Sequence, residues 1–149
     1  MDVRYFIDKF EAIPEDKWCT GDFVNRTGQM CANGHCGVRF RGMGEGTIDS
    51  PCILTSLTEE SIALYDLFKN VQLHRIDGEG AIIEDLHMHQ KGYAGIVGDI
   101  NNGSVQEYQQ PTPKQRILAA LRDIQTKEQQ NKAVQEAKDV LAQPMEELV

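Results

Sequence analysis

No run of apolar residues in this chain approaches the roughly 18–20 that a helix needs to cross a bilayer, so no membrane-spanning element is expected. The opening residues Met1-Asp2-Val3-Arg4 lead straight into an amphipathic pattern, without the basic and apolar regions of a secretory signal. With no export signal, the four cysteines, Cys19, Cys31, Cys36 and Cys52, read as reduced thiols and not as a disulfide framework, and the expected compartment is the cytoplasm. No Cys-x-x-Cys pair occurs, which removes the commonest zinc-ligand spacing. The glycine-rich stretch Gly42-Met43-Gly44-Glu45-Gly46 lacks the Lys-Ser/Thr of a phosphate cradle and carries a carboxylate where phosphate would sit. Nothing in the sequence calls for a cofactor.

Basic charge is also scarce. Fifteen Lys and Arg face twenty-three Asp and Glu, a net charge of −8. The deficit is confined to the residues before Pro113, nine basic against seventeen acidic, and the remainder is neutral. A body so charged repels phosphate backbones, so no nucleic-acid partner is expected, and a cationic partner or a neutral groove suits it better.

What is present is a soluble globular composition, 40% hydrophobic and 26% charged, long enough to bury one core. Val3, Phe6, Ile7 and Phe10 follow the i, i+3, i+4, i+7 template of an amphipathic helix, which Pro14 ends. The single Trp18 follows a polar turn and is expected to anchor that loop to the core. Residues 29–38 suggest a short helix of small residues. Ser56 and Glu59 fit a capping box ahead of a stripe at Leu64, Leu67, Phe68 and Val71. Ala81-Ile82-Ile83 and Tyr93-Ala94-Gly95-Ile96-Val97 are short apolar runs whose periodicity does not separate strand from buried helix. The clearest helix opens at Thr112-Pro113-Lys114-Gln115, an N-cap, Pro at N1 and Gln at N3, with Ile117, Ala120, Leu121 and Ile124 as its buried stripe. Its pattern thins after Asp123, resumes at Val134, Ala137 and Leu141, and stops at Pro144. These readings predict a mainly α single domain over residues 1–125, a minor two-stranded β element, and a C-terminal helical extension over 126–149. Trp18, Cys31 and Leu121 are the expected core anchors. The second stripe either docks back on the body or serves a partner or weak self-association, for which Val134, Ala137 and Leu141 are the candidates.

Four short motifs occur in order: Trp18-Cys19-Thr20-Gly21; Gly28 leading to Cys31-Ala32-Asn33-Gly34; Asp99-Ile100-Asn101-Asn102-Gly103; and Pro113 to Leu121. Over residues 3 to 125 the chain resembles a family of small bacterial and phage-encoded domains of unknown function. That family shows Trp-x-x-Gly, Gly-x-x-Cys-Ala-x-Gly, an Asn-Asp turn and a closing helix. The resemblance implies a compact helical fold, carriage on phages or mobile elements, residence in a bacterial host cell, and no assigned chemistry. Asn102 stands where the family pattern usually has Asp, and residues 39–56 and those after Asp123 fall outside the match.

The densest chemistry lies in Cys31-Ala32-Asn33-Gly34-His35-Cys36-Gly37. Cys31, then His87 or His89, then Asp99 or Asn101, reproduces the Cys, His, Asn/Asp order of papain-like hydrolases, an alternative that makes Cys31 a nucleophile. Cys31, His35 and Cys36 share one side of a short helix and form an alternative metal set, with His87, His89, Cys19 or Cys52 to complete it. Gly37 breaks that helix early, however, and small buried residues where a helix crosses its neighbour explain the segment without chemistry. Asp77, Glu79, Glu84 and Asp85 do not have the spacing of a calcium loop and read as solvated turn charges. The expected function is therefore a non-enzymatic interaction module with an unidentified protein partner, a phage or mobile-element accessory acting on a host factor.

Overall fold

A computed structural model describes residues 1–40, 55–86 and 95–143. The glycine-rich stretch, Cys52, His87, His89, Tyr93 and Pro144 lie outside the described residues. The architecture is a small, mainly helical domain with minor antiparallel β structure and a long C-terminal helix. In chain order the elements are α1 (Val3–Glu11), a 3-10 turn (Glu15–Lys17), α2 (Ala32–His35), β1 (Arg39–Phe40), β2 (Thr55–Ser56), α3 (Glu59–Asp66), β3 (Leu73–Ile76), β4 (Ile82–Leu86), α4 (Gly95–Asn101) and α5 (Pro113–Leu141). β1 pairs with β2 and β3 with β4, both antiparallel, with a register shift at Arg75/Ile76.

α1 forms where its stripe dictates. Asp2 caps it by accepting from the Tyr5 N–H, and Val3, Phe6, Ile7 and Phe10 are buried. They pack against the inner half of α5, where Ile117, Leu118, Ala120, Leu121 and Ile124 are buried. Lys114 Nζ donates to the Glu11 carbonyl at 3.0 Å and Arg122 pairs with the Glu11 carboxylate, tying the end of α1 to α5. Trp18 is buried in the same core, edge-on to Phe10, with ring centroids 5.3 Å apart. The Trp18, Cys31 and Leu121 anchors are all buried.

Three expectations shift. The helix of small residues is one turn, Ala32–His35, because Met30 is bridged to Trp18 and Val24, and Gly37 leaves the helix at φ +90°. The cap of α3 is Thr58 with Ser61, not Ser56 with Glu59. Thr58 Oγ1 accepts from the Ser61 N–H at 3.0 Å, and Ser61 Oγ accepts from the Thr58 N–H at 2.9 Å. Ser56 is instead drawn into β2. The two ambiguous apolar runs resolve oppositely: Ile82 and Ile83 enter β4, whereas Gly95, Ile96 and Val97 open α4.

β3 and β4 form a hairpin with one rooted end. Leu73 and Leu86 face each other in the register and are both buried, while the Asp77–Gly80 end projects. Asp77 shapes that turn by accepting the N–H groups of Glu79 and Ala81 on Oδ1. Beyond Gln125, α5 runs on unbroken to Leu141, and every residue from Thr126 through Gln143 is exposed.

Candidate functional site

The motif residues that the sequence scatters over a hundred positions meet around one side chain, Asn101. It is fully buried at the C-terminal end of α4. Its Oδ1 accepts from the Ala32 N–H at 3.0 Å, at the start of α2. Its Nδ2 donates to the Cys19 carbonyl at 2.9 Å and to Asn102 Oδ1 at 3.2 Å. The Asn101 carbonyl in turn accepts from Arg116 Nε at 3.2 Å and Nη2 at 2.7 Å. Asn102 Oδ1 also takes the Gly21 N–H at 3.0 Å. The side-chain amide thus joins the Trp18-Cys19 loop, α2 and α4, with its donor and acceptor both used as burial requires, and the backbone carbonyl of the same residue adds α5.

Arg116 is nearly buried. Its guanidinium is held by carbonyl oxygens, those of Asn101 and, through Nη1 at 2.8 Å, Gln110. Burial lowers its pKa, but arginine remains charged, so the cation is a fixed brace across the α4–α5 corner. Gly103 turns the chain beside this guanidinium at φ +79°, a left-handed conformation that favours glycine.

The segment opening α2 is a packing joint. A Cβ on Gly34 would sit 1.9 Å from the Phe23 carbonyl oxygen, so the loop carrying Phe23 lies directly on the helix backbone. Met30 exchanges backbone hydrogen bonds with Lys17 and Cys19 on one side, and Arg39 Nη1 donates to the carbonyls of Gly34 and Val38 on the other. Thr58 Oγ1 donates to the Cys36 carbonyl at 2.6 Å, fastening the cap of α3 to the end of α2.

The three described thiols are free and all are biased towards the neutral form. Cys31 is 6% exposed, and its Sγ accepts the Gly34 N–H at 3.5 Å as the N-cap of α2. Burial outweighs that donor and pushes its pKa up. Burial and the Glu60 carboxylate push Cys36 up to about 12, and burial followed by Asp22 raises Cys19. A one-turn helix does not offset desolvation, so Cys31 is a protonated thiol at neutral pH and a poor nucleophile or metal ligand in this state. Cys31 lines a cleft of about 100 Å³ with Phe23, Asn33, Gly98 and Asn102. The histidines proposed to serve it lie outside the described residues.

His35 is occupied as well. Its ring packs against Trp18 at a tilt of 58°, with centroids 4.7 Å apart, and Nε2 lies 3.1 Å from the Lys17 carbonyl. A carbonyl only accepts, so Nε2 carries the proton, and burial lowers the ring's pKa. Cys31, His35 and Cys36 are neighbours in sequence but are engaged in three directions. Among the described residues no three His, Cys, Asp or Glu side chains converge as metal ligands would.

A second polar cluster escaped the sequence reading. His74, on β3, stands between two carboxylates: Nδ1 is 2.8 Å from Glu107 Oε2, and Nε2 is 3.5 Å from Asp85 Oδ1. Glu107 Oε1 also accepts the His74 N–H at 2.8 Å. The Glu107 hydrogen bond raises the His74 pKa, assisted by both charges. Strand alternation puts Asp85 opposite His74, but Glu107 arrives from a distant loop with no local signal. The acidic set reads as expected for surface charges: Glu84 Oε2 accepts from Arg75 Nε at 2.9 Å and Nη2 at 2.8 Å, and Asp85 is open to solvent.

Comparison with protein-family models, curated proteins and solved structures finds no match. Function is therefore argued from this chain's own surfaces. A recess of about 510 Å³ lies where α5 leaves the body and is lined by Ala63, Leu67, Val71 and Ile124 with Lys127 and Asn131.

Proposed function

We propose that the protein is a non-enzymatic interaction module whose compact body presents the outer half of α5 as a contact arm for a protein partner. The observation that carries this is the exposure of that arm. Val134, Val140 and Leu141 are 54%, 52% and 84% exposed on a helix whose residues beyond Gln125 are all exposed. At 3.6 residues per turn, the stripe of Val134, Ala137 and Leu141 is rotated by roughly 130° from the body-facing stripe of Ile117, Leu121 and Ile124. A straight continuation of α5 therefore does not lay the second stripe on the body, and an apolar face so placed suits an external surface. The buried, protonated thiols and the fully engaged Asn101 favour structural roles for the Cys31 segment.

The motif resemblance supports placing this activity in a bacterial host, as a phage or mobile-element accessory acting on a host factor. The alternative is a cysteine-dependent hydrolase or transferase using Cys31, His87 or His89, and Asp99. It has in its favour that Cys31 lines a cleft.

The test is quantitative capture from host extract by the full chain and by a Val134→Glu, Ala137→Glu, Leu141→Glu variant. We expect a partner retained by the wild type and lost by the variant, with both proteins unfolding at the same temperature. Equal capture by the two would refute the arm, and selective labelling of Cys31 by a thiol probe in the folded protein would favour the hydrolase.

A further inference from the structure

We propose that Cys19 and Cys31 form a dithiol site that a low-molecular-weight disulfide oxidises to an intramolecular disulfide, a modification that goes beyond the α5 arm and does not depend on it. The backbone brings the two residues level. Trp18 and Met30 form a parallel bridge in which Met30 N–H donates to the Lys17 carbonyl and Cys19 N–H to the Met30 carbonyl, both at 3.0 Å. Trp18 and Cys31 are both extended, so the next opposed pair on this ladder is Cys19 and Cys31. Alternation turns Trp18 and Met30 to one face and the two cysteines to the other. The following rung would be Ala32 N–H to the Cys19 carbonyl. Asn101 supplies it instead, its side-chain amide taking the Ala32 N–H at 3.0 Å and donating to the Cys19 carbonyl at 2.9 Å. The cysteines are therefore held between a direct rung and an amide-bridged one. Directly paired strands lie about 4.8 Å apart and disulfide-bonded Cα atoms span about 4.4–6.8 Å, which leaves room for the spread that the amide introduces.

The side chains converge as the backbone does. Cys19 Sγ donates to the Asp22 carbonyl at 3.4 Å, and Cys31 lines the cleft of about 100 Å³ that Asp22 also borders. The causes that raise the Cys31 pKa include, after burial, the charge of the neighbouring Cys19. The pair is unequal. Cys19 is half-buried and Cys31 buried, so Cys19 meets a small reagent first and Cys31 resolves the product. In the first step the Cys19 thiolate attacks one sulfur of the reagent RSSR, forms Cys19–S–SR and expels RS⁻. Cys31 then gives up its proton and attacks Cys19 Sγ, forming the protein disulfide and expelling the second RS⁻. Two protein thiols are oxidised, one RSSR is reduced, and the two protons lost by the protein end on two RSH. Burial keeps Cys31 protonated, but this second step is intramolecular, and proximity offsets a small thiolate fraction. The link closes residues 19–31 into one loop, within which the Phe23 carbonyl already lies on Gly34. Oxidation therefore fastens a joint that the reduced protein has already built.

The test incubates the full chain with oxidised glutathione under native conditions, blocks remaining thiols with iodoacetamide, and maps disulfides by tryptic digestion without reduction. Trypsin cuts after Lys17, Arg26 and Arg39, so the expected product joins the peptide Trp18–Arg26 to the peptide Thr27–Arg39. Fragmentation should place the link at Cys31 and not at Cys36. Dithiothreitol should reverse it, and the oxidised protein should unfold about 5 °C or more above the reduced one. Cys31→Ser keeps an N-cap acceptor and should stop at the glutathione adduct of Cys19, while Cys19→Ser should leave Cys31 at least tenfold less modified than in the wild type. Should either variant fail to fold, the wild-type map and the two unfolding temperatures decide. A stable Cys19 adduct in the wild type overturns the proposal, as does a link through Cys36 or Cys52, a disulfide between two chains, no reaction, or an oxidised form that unfolds no higher than the reduced one.

Discussion

At the scale of single residues, the molecule depends most on Asn101 and Gly34. Asn101→Ala removes the acceptor for the Ala32 N–H and the donor to the Cys19 carbonyl while leaving both buried. We expect a loss of about 2–4 kcal/mol in urea unfolding, with little change in slope. Gly34→Ala forces a methyl into the Phe23 carbonyl, so either the loop or α2 must move, and about 3 kcal/mol or more should be lost in the same assay.

Titration gives a further residue-level expectation. The folded-state pKa of His74 lies above its ordinary 6.5, so its contribution is complete below that value and declines as pH rises through the folded pKa. By NMR, His74 should titrate above 6.5, and Glu107→Gln should return it towards that value; a His74 titrating below 6.5 would refute the pairing. Cys36 follows the same sign, from an ordinary 9.0 to about 12 when folded, so stability should fall as pH rises above about 9.

At the scale of elements, caps and glycines set where the helices stop. Thr58 does three things at once: it accepts from Ser61, donates to the Cys36 carbonyl and starts α3. Thr58→Ala should cost about 1–2 kcal/mol, measurable as a lower midpoint in thermal unfolding. Helix interiors were the legible part of the sequence. The stripes in α1 and α5 repeat over enough turns for burial to follow from spacing, and Thr112 with Gln115 caps α5 as its chemistry indicates. Short elements were less legible, because tertiary partners decide them. α2 is cut to a turn by the Trp18–Met30 bridge and by Gly37, and Thr58 is selected over Ser56 because the Cys36 carbonyl is within its reach. The joint at Cys31 to Gly37 was legible from its small residues. Its organising group, Asn101, lies some seventy positions away and was visible only as a letter of a turn motif and an alternative to Asp99 in a hydrolase-like order, not as a packing hub. Arg116 looks like a surface cation of a helix, and only the fold reveals that it braces α4.

At the scale of the whole molecule, an acidic body carries a neutral helical arm. α5 is one helix by its backbone and two by its environment: its inner half is core, and its outer half depends on helix propensity alone. Isolated helices of that length are marginal in water, so amides beyond residue 128 should exchange far faster than those of Ile117 to Ile124, which open only with the core. The most direct test of the arm is the unfolding midpoint of the chain ended after Thr126, compared with the full chain. A contact arm outside the fold predicts midpoints within about 2 °C of each other, whereas a fall of about 10 °C or more would show that the outer half of α5 is part of the core and contradict the account.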